Sequence, residues 1–235
     1  MSPSFPTTRR SVVMSLASGD AEERSRAFGT LVALYWKPLY KYARVAWGRA
    51  PEDCEDLTQS FFSKVLENDA MATYDPLRAS FRTFLRLLFD RFSANETKAG
   101  QRIKRGGDRL QVDFESAESE LERDKNAPAT PETLFQREWV RSVFSLAVER
   151  LRDDCLAAGR DIQFHVFEAY DLEDDRTVSY RDLARRFSLP ETTVTNYLSS
   201  TRRQFRQIVL ETLREATASE QEYRAEARSL LGVEP

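Results

Sequence analysis

The sequence predicts an all-α protein of two helical domains joined by an acidic, flexible linker, and three observations indicate this class. Glycine and proline are scarce, with 8 and 9 residues among 235. Apolar residues recur at helical spacing along most of the chain, and alternating strand-like runs are absent. Residues 110–130 interrupt that pattern, because they are rich in carboxylates and poor in apolar side chains. We therefore expect a flexible tail at 1–9, domains at 10–109 and 131–215, and a helical tail at 216–235.

The N-terminal domain is expected to begin with three helical segments that precede an acidic helix, and the first of them is a short helix at Arg9–Ala17. Asp20 is a good N-cap for the second segment, which is expected to end near Pro38, and Leu39–Trp47 continues the core as the third. Pro51, followed by two carboxylates, marks the start of the next helix. The outer face of that helix is acidic and polar and carries Asp53, Glu55, Asp56 and Gln59. A solvated face favoured by the helix dipole explains the same pattern, so the segment alone identifies no partner.

A basic helix is expected to follow, from about residue 81 to the Gly106-Gly107 pair. Its apolar face is heavy and aromatic, with Phe81, Phe84, Leu85, Leu88, Phe89 and Phe92. The rest of the segment is cationic, with Arg82, Arg86, Arg91, Lys98, Arg102, Lys104 and Arg105. Phenylalanines in such a stripe are expected in the core rather than as stacking platforms for bases. The cationic face suits a nucleic-acid backbone.

Residues 177–213 have the pattern of a helix-turn-helix. Ser179 can cap a short first helix, Ser188 and Leu189 interrupt the pattern, and Pro190 suits the first turn of a second helix. The second helix is expected to bury Val194, Leu198, Phe205, Ile208 and Val209. Its opposite face carries Thr192, Thr195, Asn196, Ser199, Arg202 and Arg203, with Arg206 one turn further on. Such a face suits a helix in the DNA major groove, although two ordinary amphipathic helices produce the same pattern.

Catalytic and metal-binding constellations are not evident. Cys54 and Cys155 lack the CxxC spacing of a zinc site and imply no disulfide framework. The single histidine, His165, lies between Phe164 and Val166 and is expected to be a packed or surface residue. Carboxylate clusters occur without a glycine-rich phosphate loop. We therefore expect a protein that is not an enzyme and that uses no metal and no other cofactor.

Charge and hydropathy restrict the compartment and the partners. The formal net charge of −3 argues against a generally basic protein that coats nucleic acid, although local basic faces matter more than the sum. No stretch approaches the length of a membrane span, and the N-terminus lacks the apolar core of a signal peptide. The expectation is a cytoplasmic protein with no membrane insertion.

The order of these features resembles the extracytoplasmic-function sigma factors of bacterial RNA polymerase. The segment PEDCEDLTQSFFSKVLE is similar to the polymerase-binding helix of that family, and FRTFLRLLFDRFSANE to its promoter-melting helix. The segment SYRDLARRFSLPETTVTNYLSSTRRQFR is similar to its reader of the upstream promoter element. The strings DLTQSFF, FRTFL, SANE and KRGG resemble a planctomycete-type subgroup that carries DLTQ. The chain departs from the common family pattern at Phe84, Arg91, Ser188 and Tyr197.

The resemblance implies a function for each part of the chain. Residues 10–109 would form sigma region 2, which binds core polymerase and opens the −10 element, with a pocket for a flipped base at 68–80. The linker at 110–130 would thread the RNA exit channel, where carboxylates mimic RNA phosphates. Residues 131–215 would form sigma region 4, which reads the −35 element.

Particular side chains follow from the resemblance. Asp53, Glu55, Asp56 and Gln59 would bind the polymerase. Arg82, Arg86, Arg91, Lys98, Arg102, Lys104 and Arg105 would hold the −10 region. In region 4, Thr192, Thr195, Asn196 and Ser199 would contact bases, with Arg202, Arg203 and Arg206 on phosphate.

Thr58 is a candidate phosphorylation site, so the expected regulators are an anti-sigma factor or a serine/threonine kinase. Two alternatives remain: a stand-alone helix-turn-helix transcription regulator, and a helical interaction or adaptor protein.

Overall fold

The computed structural model describes residues 15–16, 20–67, 71, 73–99, 110–124, 130–173 and 177–233. The helices are, in chain order, α1 (Ala21–Trp47), α2 (Pro51–Glu67), α3 (Phe81–Ala99), α4 (Phe114–Arg123), α5 (Pro131–Ala157), α6 (Asp161–Phe167), a π-helical turn (Glu168–Leu172), α7 (Tyr180–Phe187), α8 (Glu191–Ala216) and α9 (Glu220–Leu231). No β-strand occurs within the described ranges, so the predicted all-α class is confirmed for them. In the same ranges no helix combines the length and the apolar character needed to cross a bilayer. The flexible tail expected at 1–9 lies outside the described residues, and so does most of the short helix expected at Arg9–Ala17.

The chain forms two compact units, and their boundaries differ from those expected from composition. The first unit contains the residues up to Val143 together with those from Leu213 onwards, and the second contains Phe144–Thr212. The first half of α5 and the whole of α9 therefore belong with the N-terminal helices. The physical reason is burial: Trp139 in α5 and Tyr223 in α9 are both in the core of the first unit.

Aromatic side chains contribute many of the contacts in the core of the first unit. Helix α1 packs against α2 and α4, and α2 packs against α3. The rings of Tyr35 and Phe81 meet edge to face with their centroids 5.8 Å apart, and those of Phe61 and Phe89 meet at 5.0 Å. The phenylalanine stripe of α3 is therefore largely in the core, as its spacing predicted, with Phe81 and Phe89 fully buried.

Helix α1 runs without interruption through Pro38, so the predicted end of a helix at that residue is wrong. Proline cannot donate to the carbonyl of Leu34, and an interior proline costs a helix roughly 3 kcal/mol. Leu34, Tyr35 and Leu39, on either side of it, are all buried, and Pro38 itself is buried. Because the apolar surface on both sides faces one core, its burial offsets the lost hydrogen bond. The helix ends at Gly48, which has the left-handed conformation (φ 59°) that a residue without a Cβ adopts most easily.

Residues 114–123 form helix α4, although their composition predicted part of a flexible linker. Asp113 caps the helix, its side chain accepting a hydrogen bond from the Ser116 amide at 2.8 Å. The ring of Phe114 packs between Trp36 and Tyr40 of α1, at 5.3 and 5.2 Å between centroids. Composition missed this helix because the partners that stabilise it lie about 75 to 80 residues earlier in the chain.

The second unit contains the predicted helix-turn-helix, α7 and α8. Ser179 caps α7 in a reciprocal capping box with Asp182, as the sequence indicated for the serine. Ser188, in the turn, has φ 54° and is the one non-glycine residue with positive φ among those described. Val194, Leu198, Ile208 and Val209 are buried, as predicted, and Phe205 is half-buried against Phe167.

Candidate binding surfaces

The first half of α8 presents a polar face of small side chains to solvent. Thr192, Asn196 and Ser199 are exposed, and so is Thr195, whose hydroxyl donates to the Glu191 carbonyl at 3.0 Å. We call these four residues the α8 polar face. Their exposure agrees with the sequence prediction, and short hydroxyl and amide side chains are able to reach base edges in a major groove.

The three arginines that follow the α8 polar face differ in their surroundings. Arg203 and Arg206 are exposed, and no acidic side chain pairs with either in the described part of the chain. Arg202 instead forms a bidentate ion pair with Asp171, with Nε and Nη2 each 2.9 Å from a carboxylate oxygen. Its guanidinium also lies 5.2 Å from the ring centre of Tyr170. The pKa of Arg202 is raised, first by the hydrogen bond to Asp171. The prediction of a free phosphate contact at Arg202 is therefore contradicted, because Asp171 already binds Nε and Nη2 of the guanidinium and neutralises its charge.

Helix α2 exposes the acidic face that the sequence indicated. Asp53 is exposed, and Glu55, Asp56 and Gln59 are half-buried. Neither Asp53 nor Asp56 forms an ion pair within the described ranges. Unneutralised carboxylates on one helix face attract a basic surface on a partner.

Thr58 is inaccessible, although it lies in the same helix. Its side chain is fully buried, and its hydroxyl donates to the Cys54 carbonyl at 2.7 Å. Phosphorylation of Thr58 requires an accessible hydroxyl, so the structure contradicts the prediction of a phosphorylation site at this residue. The sequence contained a signal for burial, since Cys54, Thr58 and Phe62 follow each other at a spacing of four and lie on one helix face. Burial also raises the pKa of the Cys54 thiol to about 11.

The basic helix α3 is less cationic towards solvent than the sequence predicted. Arg86 donates to the Tyr42 hydroxyl at 3.1 Å and to Asp90 at 3.2 Å, and Arg82 pairs with Glu226. Arg91 is exposed, and no carboxylate pairs with it among the described residues. Lys98 lies within α3, and the predicted contacts Arg102, Lys104 and Arg105 lie outside the described residues.

A cationic face on α1 binds the acidic helix α4, and the sequence analysis did not predict this face. Arg44 pairs with Glu118 at 2.5 and 2.9 Å, and the Tyr40 hydroxyl donates to Glu118 at 2.7 Å. Lys37 and Lys41 lie 2.9 and 2.8 Å from the carboxylate oxygens of Glu120. The expectation that linker carboxylates remain free to mimic RNA phosphates is therefore contradicted for Glu118 and Glu120. Only the alternation of cations and aromatics in WKPLYKYAR hinted at this face.

The hydrogen bonds in this contact also change the acidity of its carboxylates. The hydrogen bond from Arg44 is the largest influence on Glu118 and lowers the pKa of that carboxyl. Burial alone would raise the pKa of Glu120, but hydrogen bonds from Lys41 and Lys37 lower it overall. Both carboxyl groups are therefore held in the charged form.

No group of three or more histidine, cysteine or acidic side chains is arranged to hold a metal ion in the part of the chain that the structure describes. Cys54 and Cys155 are free thiols and both are buried. His165 is exposed, with Nδ1 3.2 Å from a Glu168 carboxylate oxygen. These residues therefore do not come together in one site.

Comparisons of the chain with protein-family models, with curated proteins and with solved structures give no match.

Proposed function

We propose that this protein is a sigma factor of the extracytoplasmic-function type, which binds core RNA polymerase and directs it to promoter DNA. The observation that carries the proposal is the helix-turn-helix whose second helix exposes the α8 polar face, followed by Arg203 and Arg206, which have no acidic partner among the described residues. Small polar side chains address base edges, and the arginines beyond them address phosphate.

The acidic face of α2 favours a sigma factor over a stand-alone DNA-binding regulator. A regulator that never joins polymerase needs the helix-turn-helix for DNA binding. In such a protein the unneutralised carboxylates of α2, which lie in the other unit, would have no function. In the proposal Asp53 and Asp56 contact a basic surface of the core enzyme, with Glu55 and Gln59 beside them. In α3, Arg91 is exposed and remains available to the −10 region.

The decisive experiment is run-off transcription with purified core enzyme, combined with a charge reversal on α2. Asp53→Lys with Asp56→Lys should weaken core binding by at least roughly tenfold, because two attractive contacts become repulsive. Exposed charges contribute little to stability, and the change in the first turn of α2 should cost at most about 1 kcal/mol through the helix dipole. Folding is followed in parallel by circular dichroism.

A matched control is available in α5. Glu149 and Asp153 are exposed, so Glu149→Lys with Asp153→Lys alters the net charge by the same amount away from the α2 face. This control should bind core as the unaltered chain does. Equal core affinity for the two double variants, or the absence of any transcript above that from core alone, would overturn the proposal. DNA binding without core binding would favour the stand-alone regulator.

A further inference from the structure

Helix α9 places two carboxylates at the beginning of the basic helix α3. One oxygen of Glu222 accepts a hydrogen bond from the Phe81 amide at 2.8 Å, and the other accepts from the Ala218 amide at 3.0 Å. One turn later, Glu226 pairs with Arg82. The contacts with Phe81 and Arg82 join positions more than 140 residues apart in the chain, and all of the residues belong to the first unit.

The contact with α9 encloses Arg82. Its guanidinium lies over the indole of Trp139, 4.8 Å from the ring centre, and the Glu226 carboxylate neutralises it. The side chain of Arg82 is only 20% exposed, and that of Glu226 only 9%. A phosphate group cannot reach the guanidinium of Arg82 while α9 stays in place. The first cation of the basic helix is therefore masked.

The carboxylates of α9 resemble a bound anion in their chemistry. A helix N-terminus offers unpaired amides and a positive dipole, which is the setting in which proteins bind phosphate. Glu222 takes up the first of those amides, and Glu226 takes up the arginine that begins the cationic face. A phosphate of a nucleic-acid backbone would bind the same amides and the same guanidinium, so it competes directly with α9.

Helix α9 also has the features of an element that can separate from the rest of the first unit. Ser219 caps its start, the hydroxyl accepting from the Glu222 amide at 3.1 Å, and Gly232 ends it in the left-handed conformation. It is 12 residues long, and its buried apolar side chains are Tyr223 and Ala227. Helix α9 is short, carries its own caps and buries little apolar surface. Glu222 and Glu226 therefore provide a large share of its attachment to the rest of the first unit.

We propose that α9 is an autoinhibitory element, which masks Arg82 and the start of α3 in the free protein and is displaced when nucleic acid binds there. The inference rests on the proposed function only in assuming that α3 faces nucleic acid. Two consequences follow. Removing the charges of α9 strengthens binding to nucleic acid, and binding of nucleic acid loosens α9.

The first test uses the full chain with Glu222→Gln and Glu226→Gln, which keep the shape of both side chains and remove their charge. The probe is a fluorescent 30-nucleotide oligodeoxythymidine, with anisotropy measured across a salt series. Affinity should rise roughly threefold to tenfold, and the slope of log K against log salt should steepen by about 0.7 for one added phosphate contact. Adding Arg82→Gln to this variant should abolish the gain.

The control is Glu115→Gln with Glu122→Gln, which removes two exposed carboxylates of α4 and gives the same net charge. It should leave the salt slope as in the unaltered chain. The same affinity and slope for the control and for the Glu222/Glu226 variant would overturn the inference, because α9 would then be only a structural helix.

A second measurement avoids any risk of misfolded variants. Hydrogen exchange of residues 220–231 in the unaltered chain should become faster at saturating oligodeoxythymidine, because α9 leaves its site. Unchanged or slower exchange there would also overturn the inference.

These measurements contain no polymerase, so they separate the two proposals. Successful core binding and transcription without a gain in DNA affinity would remove the autoinhibitory role and leave the sigma function. A gain in DNA affinity by a chain that never binds core would do the opposite.

Discussion

The ammonium group of Lys41 lies 2.8 Å from a carboxylate oxygen of Glu138, and the two side chains are only 2% and 1% exposed. Lys41 also lies 2.8 Å from Glu120 of α4, and Glu138 accepts a hydrogen bond from Arg141 at 2.6 Å. Buried charges are tolerated only when they are paired and hydrogen-bonded. The pair therefore ties α1 to α5 within the first unit.

Neutralising Glu138 should destabilise the first unit strongly. Glu138→Gln leaves the buried Lys41 ammonium with Glu120 alone as a charged partner, and the loss is expected to be on the order of 3 kcal/mol. All three tryptophans, Trp36, Trp47 and Trp139, lie in this unit, so urea denaturation followed by tryptophan fluorescence reports on it selectively. Glu132→Gln, an exposed position on the same helix, is the control and should cost under about 1 kcal/mol. Equal losses for the two variants would contradict the importance of the pair.

The neighbouring arginines of α8 should behave differently in DNA binding. Arg203→Ala should weaken binding to every sequence and reduce the salt slope by about 1, because it removes a phosphate contact. Arg202→Ala should leave the slope nearly unchanged, because Asp171 already holds that side chain. Anisotropy titrations of the two variants at several salt concentrations compare them directly. A similar drop in slope for both would show that Arg202 leaves Asp171 for phosphate.

Asn196→Ala should alter sequence preference rather than general affinity. An asparagine that makes a bidentate contact with adenine contributes about 1–3 kcal/mol of discrimination against other bases. The measurement is selection from a randomised duplex library, and the expected result is relaxed preference at one or two adjacent base pairs. Ser200→Ala is the control, because the Ser200 hydroxyl donates to the backbone of its own helix, at 3.0 Å from the Tyr197 carbonyl. Unaltered preference in the asparagine variant would exclude Asn196 as a reader.

Ser188→Gly should stabilise the helix-turn-helix. Ser188 has φ 54° and ψ 45°, where a side chain costs roughly 1–2 kcal/mol and glycine is free of that strain. The larger loss of conformational entropy by glycine on folding costs about 0.5–1 kcal/mol, so the free energy of unfolding should rise by about 0.5–1 kcal/mol. Thermal denaturation followed by circular dichroism measures it. Ser200→Gly, in the interior of α8, should instead lower stability by up to about 1 kcal/mol. A loss of stability in the Ser188 variant would contradict the strained turn.

The contact between α4 and α1 should weaken in acid. The folded-state pKa of Glu118 is lowered from 4.5, so its contribution to stability is present above that value and disappears as pH falls through the lower folded-state pKa. The difference in the free energy of unfolding between the unaltered chain and Glu118→Gln should therefore be constant near neutral pH and shrink below about pH 4.5. Glu122→Gln, at an exposed position, should differ little from the unaltered chain at any pH. A difference for Glu118→Gln that does not depend on pH would contradict the ion pair.

The parts of the fold that the sequence predicted are those determined by residues close together in the chain. The cap at Ser179, the turn at Ser188 and the first turn of α8 each involve a few consecutive positions. The all-α class follows in the same way from local periodicity. These features needed no knowledge of the tertiary structure.

Several of the predictions that failed depend on partners far away in sequence. Arg202 pairs with Asp171 over 31 residues, Arg44 with Glu118 over 74, and Arg82 with Glu226 over 144. A helical pattern shows that a charge lies on the outer face of its own helix, but not which other helix covers that face. The same limit explains why α4 was expected to be flexible.

The Arg44–Glu118 pair has a consequence for the evolution of this chain. Loss of either partner leaves a half-buried charge beside Tyr40, so a substitution at one position lowers fitness until the other changes as well. Related sequences should therefore vary at positions 44 and 118 together, with neutral residues at both or opposite charges at both. Glu115 and Glu122, on the exposed side of the same short helix, should vary independently of α1.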